Sequence, residues 1–334
     1  MKPLEIPADS LNDAAAFKRD IAEKCQPVIL RGLVRSWPAV AAAQESKQRF
    51  RDYLLRFDAG RITEVFVGDS SIAGKYYYSE DLKRFNFERK QMRLAEAIDA
   101  ISTPPGQTTM YVGSLPMDAY LPGFPQENAM PLVPREAIPR IWIGHGSNVA
   151  CHYDTFDNIA CVIAGTRRFT LYAPELIGDL YVGPIDHTMA GQPVSLAASA
   201  PPGEEARYPR FQAIRDRAYV AELQPGDALY LPKLWWHQVE ALSDFNVMVN
   251  YWWDAFSLGP DAPSTALLLS MITIAERPPA ERQAWKAFFD HYVFRTNGHP
   301  LAHLPPEQHG ILGPLKPDNY GRLRARIMQL LRGG

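Results

Sequence analysis

Residues 224–241 read QPGDALYLPKLWWHQVEA, and this stretch carries the clearest β signature of the chain. Gly226-Asp227 is a turn signal, and the apolar run from Ala228 to Leu231 follows it directly. Pro232 ends that run, because proline cannot donate a hydrogen bond to a sheet ladder. His237 enters the next run. The stretch therefore predicts two short strands with an imidazole on the second.

Further short β-type runs surround this stretch, separated by turn residues such as Gly165-Thr166. Many short strands at such spacing indicate a sandwich or a barrel, and a jelly roll is one standard solution. The sequence thus predicts a mainly β fold with helical additions. The predicted runs are Thr109 to Val112, Arg140 to Gly144, Asn158 to Ala164, Arg168 to Ala173, Ala218 to Leu223, Ala228 to Leu231, His237 to Ala241 and Asn246 to Trp253.

Helical periodicity appears on both sides of the β-rich part. Ser10 is the predicted N-cap of the first helix, and Ser36 with Pro38 opens the second. The predicted helices are Leu11 to Cys25, Ser36 to Phe57, Gln91 to Ile101, Thr265 to Glu276, Glu281 to Phe294 and Asn319 to Leu331, with short strands at Val28 to Leu30 and Arg61 to Val67.

These patterns predict three regions. Residues 1–107 supply helical and strand elements that pack on the core, and residues 108–258 form the β core. A Pro/Gly/Ala-rich insert at 176–217 interrupts the core, and long inserts of this kind commonly form a functional lid or rim. Residues 259–334 are helical, and we expect their apolar side to pack on the core or on a second subunit.

Composition narrows the class of protein. The chain has 334 residues, 46% of them hydrophobic and 22% charged, which is typical of a globular protein that is not disordered. The formal net charge of −2 provides no global basic field, so nucleic acid is not an expected partner. The longest apolar stretch, Ala266 to Ala275, is too short to span a membrane.

Cysteine usage and the N-terminus suggest the compartment. Cys25, Cys151 and Cys161 give an odd count without metal-type spacing, so disulfides are not expected to frame the fold. Residues 1–10 have no apolar core of a signal peptide. We therefore expect a reducing, cytoplasmic location.

A second short motif carries the chemistry. His152 and Asp154 are two residues apart, so on a strand both side chains share one face. Chance alone would produce roughly 0.9 such pairs in a chain with 8 His and 37 acidic residues, so the pair is informative only with a partner. His237 could be that partner, or it could be a satisfied histidine in an aromatic core. Two histidines and one carboxylate form the facial triad that leaves positions on Fe(II) open for a cosubstrate and O2.

The motifs occur in a recognisable order. They are Ile141 to Gly144, His152 to Asp154 with Asn158, Gly165 to Phe169, Gly226 to His237, and Asn246 to Trp253, preceded by Gly74 to Tyr78 and Phe85 to Arg89. In this order they resemble the JmjC/cupin-like (cupin 8) oxygenases, especially the branch that contains the asparagine hydroxylase of hypoxia-inducible factor and its bacterial relatives. The resemblance covers most of residues 25–255.

The resemblance implies a double-stranded β-helix (jelly roll, cupin) core and three cofactors or cosubstrates: Fe(II), 2-oxoglutarate and O2. It implies that His152, Asp154 and His237 are the catalytic metal ligands. Arg167 stands where the family places a basic residue, often Lys, that binds the far carboxylate of 2-oxoglutarate. The other cosubstrate-binding residues that it implies are Asn158, Asn250, Tyr111 and Trp252.

Four further residues near these positions are not expected to bind the metal. Trp252, together with Trp236, would suit an apolar wall that keeps solvent away. Val149 departs from relatives that carry Thr three residues before the first metal-binding His. Arg168 is expected at the surface or rim, and His145 is expected to be an ordinary strand or rim residue rather than a ligand.

The function that the resemblance implies is hydroxylation of a C–H bond by an iron- and 2-oxoglutarate-dependent dioxygenase, with release of succinate and CO2. A protein or peptide substrate is favoured by the branch resemblance. Demethylation of N-methyl-lysine, hydroxylation of a nucleic-acid base and oxidation of a small molecule use the same mechanism and stay open. A 2-oxoglutarate-independent metal-binding cupin and a non-catalytic binding protein are the alternatives from other classes. As in relatives whose terminal helices pair, a homodimer is expected through the C-terminal helices.

Overall fold

The structure is a computed structural model that describes residues 1–11, 13–77, 84–185, 188, 191–200, 203–257 and 259–333. Tyr78, at the end of one motif, lies outside the described residues, as do Asn12, parts of the 176–217 insert and Leu258. The chain divides into two compact units, Met1–Ala255 and Phe256–Gly334.

Two β-sheets dominate the first unit. One has nine strands in the order β1-β2-β12-β9-β14-β7-β6-β3-β5, and the other has five in the order β11-β10-β13-β8-β4. The strands in the described residues are β1 (Leu4–Pro7), β2 (Val28–Arg31), β3 (Ile62–Asp69), β4 (Lys75–Tyr76), β5 (Glu88–Arg93), β6 (Thr108–Pro116), β7 (Ile138–Gly144), β8 (Ser147–His152), β9 (Asp157–Ala164), β10 (Arg167–Tyr172), β11 (Tyr219–Leu223), β12 (Ala228–Leu231), β13 (Trp236–Ala241) and β14 (Asn246–Trp253).

The eight strands β7 to β14 form a jelly roll. Strands β7, β9, β12 and β14 lie in the larger sheet, whereas β8, β10, β11 and β13 lie in the smaller one. The chain therefore passes repeatedly between two facing sheets, which is the connectivity of a double-stranded β-helix. The predicted fold class, a mainly β protein with a cupin-type core and added helices, is confirmed.

Strand β9 shows how the sequence produces this arrangement. All eight of its residues are buried, because its two faces pack against different layers. Ala160 and Val162 face the space between the sheets, whereas Ile159, Cys161 and Ile163 join the core beneath the N-terminal helices. A strand covered on both sides has a continuous apolar sequence instead of an alternating one.

The helices lie before, between and after the strands. Helix α1 to helix α7 belong to the first unit, and the last three belong to the second. They are α1 (Ala14–Asp20), α2 (Pro38–Glu45), α3 (Lys47–Leu55), α4 (Leu94–Ser102), α5 (Met117–Tyr120), α6 (Phe124–Glu127), α7 (Pro209–Ile214), α8 (Pro263–Ile274), α9 (Pro279–Tyr292) and α10 (Pro317–Arg332). Among the helices of the described residues, none has both the length and the apolar character needed to cross a membrane.

Three local predictions were wrong. The N-cap of α1 is Asp13 and not Ser10, since the Asp13 carboxylate accepts a hydrogen bond from the Ala16 amide. The helix predicted from Ser36 to Phe57 is two helices, because the Ser46 side chain interrupts the run and caps α3. The helix predicted from Gln91 begins only at Leu94, because β5 pairs with β3 up to Arg93.

The turn at residues 224–227 is bonded to the end of a neighbouring strand of the larger sheet, β2. Gly226 has a φ of +98°, a conformation that glycine adopts without strain. The Asp227 carboxylate accepts hydrogen bonds from the amides of Gly32 (2.9 Å) and Gln224 (3.1 Å) and from Arg31 Nη1 (2.6 Å). It thereby joins the turn before β12 to the end of β2.

We expect Asp227→Ala to lower the free energy of unfolding by about 2–4 kcal/mol, because it removes three hydrogen bonds, one of them to a charged group. Urea unfolding followed by circular dichroism measures the effect. Asp244→Ala removes an exposed carboxylate from the same unit and is the matched control. Equal stability of the two variants would contradict the role assigned to Asp227.

Candidate metal centre

His152, Asp154 and His237 come together on the smaller sheet. His152 ends β8, His237 lies in β13, and the two are direct partners in the antiparallel ladder. Their ring centroids are 4.3 Å apart, and His237 Nε2 lies 3.6 Å from Asp154 Oδ2. One donor atom from each of the three residues lies within 4.8 Å of the others.

A bulge in β8 aims His152 into the site. His237 pairs with His152, but Val239 pairs with Val149, so β8 contains one more residue than β13 between these pairs. Val149 and His152 would face opposite sides of a regular strand, yet both line the same cavity. The extra residue turns the imidazole inward, as bulges beside active sites often do.

Backbone carbonyls orient both imidazoles. His152 Nδ1 donates to Ala150 O (2.8 Å), and His237 Nδ1 donates to Trp235 O (2.9 Å), since a carbonyl oxygen can only accept. With Nδ1 as the donor, each ring directs its other nitrogen, Nε2, to the space beside Asp154. This is the arrangement in which metal-binding histidines are usually held.

Electrostatics keep His237 neutral. Burial lowers the pKa of His237 to about 4, and the neighbouring His152 acts in the same direction, while Asp154 opposes both. At neutral pH the ring is therefore uncharged and its lone pair is free to bind a cation.

The loop between β12 and β13 is bonded to the backbone of Asp154, which follows β8. The Leu234 amide donates to Asp154 O (2.8 Å), and Leu234 has a φ of +68°, in the left-handed region. Lys233 pairs with Asp254 and lies 3.4 Å from the buried carboxylate of Asp157. These contacts fix the backbone that precedes His237 relative to Asp154.

The three residues open into a cavity of about 380 Å³ between the two sheets. Arg167 lies at its other end: in the ladder it pairs with Ala241, whereas Leu171 pairs with His237. Roughly 13 Å of strand therefore separates the backbone positions of Arg167 and His237. The cavity is elongated enough for a ligand to contact both ends.

Arg167 is buried without a counter-ion among the described residues. Its side chain is 1% exposed, and its Nε and Nη2 atoms have no hydrogen-bond partner. Burial lowers the pKa of Arg167, and Tyr111 opposes that effect through its hydroxyl. The third buried side-chain atom without a partner in the described part of the chain is Trp252 Nε1, and it belongs to the same cavity. Buried polar groups are rarely left unpaired, so these atoms indicate a polar ligand.

Two of the remaining predicted cosubstrate residues, Asn158 and Asn250, form a chain of hydrogen bonds with Trp142 along one wall. Asn250 Nδ2 donates to Asn158 Oδ1 (3.1 Å), and Trp142 Nε1 donates to Asn250 Oδ1 (2.6 Å). Trp252 packs edge-on against Trp142. The structure thus brings Tyr111, Asn158, Arg167, Asn250 and Trp252 to the cavity that holds the three candidate ligands.

The expectation for Trp236 was wrong. Its ring packs against Tyr153 in a separate core cluster with Tyr172 and Phe211, and it does not line the cavity. The physical reason is the period of a strand: Trp236 precedes His237 directly, so the two side chains point to opposite faces.

One other expectation is confirmed: Arg168 lies on the outer face and pairs with Glu222 at 2.8 Å. His145 is neither a strand nor a rim residue, because it is buried between β7 and β8. Its ring accepts a hydrogen bond from the Met110 amide and donates one to Thr103 O, so both of its nitrogens are engaged. Cys25, Cys151 and Cys161 are free thiols in the structure.

Sequence reasoning missed the part of the cavity built by the N-terminal elements. Phe66 from β3, Tyr76 from β4 and Phe87 before β5 form an aromatic wall, with Phe66 stacked on Phe87 at 4.7 Å. It also missed Arg140 of β7. For Tyr76 and Phe87, the available signal was the aromatic content of the motifs at 74–78 and 85–89.

Comparison with known proteins places this geometry in a family. The sequence profile of the cupin-like domain matches residues 14–258, about three quarters of the chain. The chain belongs to the cupin-like family. JmjC-type members of this family are in general iron(II)- and 2-oxoglutarate-dependent oxygenases, including hydroxylases and demethylases.

Three curated relatives show the range of the similarity. Jumonji C domain-containing protein 5 of Drosophila melanogaster is 26% identical over 75% of this chain and 59% of its own length. The tRNA wybutosine-synthesizing protein 5 of Danio rerio is 26% identical over 75% of each chain. Lysine-specific demethylase JMJ31 of Arabidopsis thaliana is 32% identical over 31% of this chain. The match spans 59% of the Drosophila protein and 18% of the Arabidopsis protein.

We expect Arg167→Met to stabilise the protein in the absence of ligands by about 1–3 kcal/mol, because it removes a buried charge with two unpaired nitrogens at similar volume. Chemical denaturation without added metal or 2-oxoglutarate measures the change. Arg168→Met, one residue away on the exposed face, is the control and should be neutral or slightly destabilising. Destabilisation by Arg167→Met would contradict the description of Arg167 as an uncompensated charge.

Proposed function

We propose that this protein is an iron(II)- and 2-oxoglutarate-dependent dioxygenase that hydroxylates a C–H bond in a protein or peptide substrate. The observation that carries the proposal is the pairing of two features in one cavity. The His152, Asp154 and His237 donors occupy one end. At the other end lies the guanidinium of Arg167, whose Nε and Nη2 have no partner among the described residues.

The donor set fits iron(II). Two neutral imidazoles and one carboxylate are the ligands of non-haem Fe(II) oxygenases, and they leave room on the ion for further ligands. Ordinary structural zinc sites instead close the coordination shell with four protein ligands. When bound, iron with 2-oxoglutarate and O2 supplies the oxidation of a C–H bond, with succinate and CO2 as coproducts.

Arg167 would bind the far carboxylate of 2-oxoglutarate. A guanidinium presents paired N–H donors that match a carboxylate, and the Arg167 Nε and Nη2 donors have no other partner among the described residues. The Tyr111 hydroxyl lies beside the same guanidinium and could donate to the same anion. Asn158 and Asn250 would line the path between the two ends, and Trp252 offers an indole N–H that no other described residue accepts.

The aromatic wall would keep water from the reacting atoms. Phe66, Tyr76 and Phe87 of this wall line the cavity beside Trp252. The 176–217 insert adds Gln192 and Val194. Val194 forms a β-bridge with His152, so this part of the insert is attached directly to the ligand strand. An apolar, closed site favours oxidation of the substrate over side reactions with solvent.

The same cavity separates the alternatives. A 2-oxoglutarate-independent cupin would have no use for a buried Arg167 without a counter-ion. With Arg167 neutralised by 2-oxoglutarate, a lysine-based substrate would still meet the positive charge of Arg140, which lines the cavity, so hydroxylation is favoured over lysine demethylation. The cytoplasm stays the proposed location.

We expect Asp154→Ala to abolish succinate release and to weaken Mn(II) binding at least roughly 100-fold, because it removes the only anionic ligand of the triad. Calorimetric titration with Mn(II) and a succinate assay with Fe(II) and 2-oxoglutarate measure the two effects. Asp244→Ala is the control. The proposal fails if the unmutated protein neither binds 2-oxoglutarate in the presence of Mn(II) nor releases succinate.

We further propose that the second unit mediates homodimer formation. Helices α8 and α9 expose many large apolar side chains, which in soluble proteins commonly mark an interface. They are Leu267, Leu268, Met271, Ile272, Trp285, Phe288 and Tyr292, each at least 43% exposed.

Light scattering at micromolar concentration should give about twice the 37.5 kDa chain mass. Phe288→Ser should shift the protein toward the monomer, because it removes a 58% exposed aromatic side chain from the apolar face of α9. Lys286→Ser, on the opposite face where Lys286 pairs with Asp290, is the control. A monomeric unmutated protein would contradict the dimer.

A further inference from the structure

The cavity contains a second arginine for which the proposed reaction has no role. Arg140 lies on β7, where it pairs with Asn250 of β14, and neighbouring strands point such partners to the same face. It lines the cavity together with Asn250 and Trp252. It belongs to the larger sheet, whereas Arg167 belongs to the smaller one.

Two neighbours hold the guanidinium of Arg140 in place. Its Nη1 donates to Ser114 O (2.7 Å) and to Ser114 Oγ (3.0 Å), and its Cζ lies 5.4 Å from the centroid of the Trp252 ring. We call this group of three residues, Arg140, Ser114 and Trp252, the Arg140 clamp. Both contacts restrict a long side chain that would otherwise be flexible.

The backbone of β6 is distorted at the clamp. The ladder between β6 and β7 shifts register between Val112 and Leu115, and Ser114 has a φ of +54°. A left-handed conformation is unfavourable for serine and persists only where the surrounding structure enforces it. At this distortion the Ser114 carbonyl accepts the hydrogen bond from Arg140. The strained backbone therefore coincides with a fixed orientation of the Arg140 side chain.

The clamp lacks an anion. Among the described residues Arg140 has no carboxylate within ion-pair distance, and Ser114 and Trp252, which contact its guanidinium, are uncharged. Burial lowers the pKa of Arg140 without any opposing acidic group. The acidic side chain that lines this cavity is Asp154, which the proposed metal would engage.

When the metal and 2-oxoglutarate are bound, the positive charge of Arg140 has no negative charge to balance it. If the divalent ion and Arg167 face the single negative charge of Asp154 and the two carboxylates of 2-oxoglutarate, these charges cancel. The charge of the half-buried Arg140 is then uncompensated in a cavity whose remaining walls are mostly aromatic and aliphatic side chains. An uncompensated, oriented guanidinium in such surroundings favours binding of an anion.

We propose that Arg140 is a specificity-determining residue that binds a carboxylate of the substrate, so that the protein prefers an acidic peptide. The inference rests on the proposed function, because it assigns Arg140 to the substrate and Arg167 to the cosubstrate. The carboxylate comes from an aspartate or glutamate side chain or from a peptide C-terminus, and both present the same chemistry to the clamp.

The test measures the binding of three alanine-based peptides to protein saturated with Mn(II) and 2-oxoglutarate. Two peptides have capped ends and differ only in a central glutamate or glutamine. The third has no acidic side chain but keeps a free C-terminal carboxylate. Ligand-observed NMR titration gives the affinity of each. We expect one carboxylate peptide to bind roughly 10- to 100-fold more tightly than the glutamine peptide, as a charged hydrogen-bonded pair predicts.

Variants assign the preference to the clamp. Arg140→Gln should remove the discrimination between carboxylate and amide peptides, and Arg140→Lys should restore part of it, since lysine keeps the charge but not the planar fork. Ser114→Ala should weaken the preference by loosening the guanidinium. Arg168→Gln, on the outer face, is the control and should behave as the unmutated protein does.

The outcomes separate the two proposals. If the unmutated protein did not bind 2-oxoglutarate, the proposed function itself would be overturned. Normal 2-oxoglutarate binding with equal affinity for all three peptides, or an unchanged preference in Arg140→Gln, would overturn only the role of Arg140. A loss of 2-oxoglutarate affinity in Arg140→Gln as large as in Arg167→Gln would also overturn it, because Arg140 would then serve the cosubstrate.

Discussion

The antiparallel pairing of β8 with β13 is the constraint on which the site depends. It sets His152 opposite His237, and the bulge in β8 turns His152 and Val149 to the same side. A slip of one residue in this ladder would send His237 to the outer face and bring Trp236 inward. The hydrogen bond from the Leu234 amide to Asp154 O opposes such a slip, because it ties the start of β13 to the end of β8.

Much of the core was predictable from sequence because its signals are local. The turn at Gly226-Asp227, the apolar run after it and the strand from Asn246 to Trp253 appear where the residues place them. The candidate ligands and Arg167, which the sequence motifs had singled out, line one cavity. Strand β8 was not among the predicted runs, since its mixed sequence, Ser147 to His152, lacks an apolar alternation.

The remainder could not be predicted because it depends on contacts between distant parts of the chain. The aromatic wall requires β3 and β4 to reach the jelly roll, and Arg140 acquires its orientation from Ser114 in a different strand. Trp236 is a different case. Its position next to His237 already implied the opposite face by strand period alone, so the sequence contained the signal that would have corrected the expectation.

The distorted stretch of β6 lies outside the eight strands that form the jelly roll. Different segments therefore carry the two functions. Strands β8 and β13 hold the candidate histidine ligands, whereas Ser114 of β6 orients Arg140. If Arg140 selects the substrate as proposed, a change at Ser114 would redirect the guanidinium while β8 and β13, which carry the two candidate histidine ligands, stay unchanged. Gly113 is the less tolerant of the two positions, because a side chain there would meet Tyr111 at 3.2 Å.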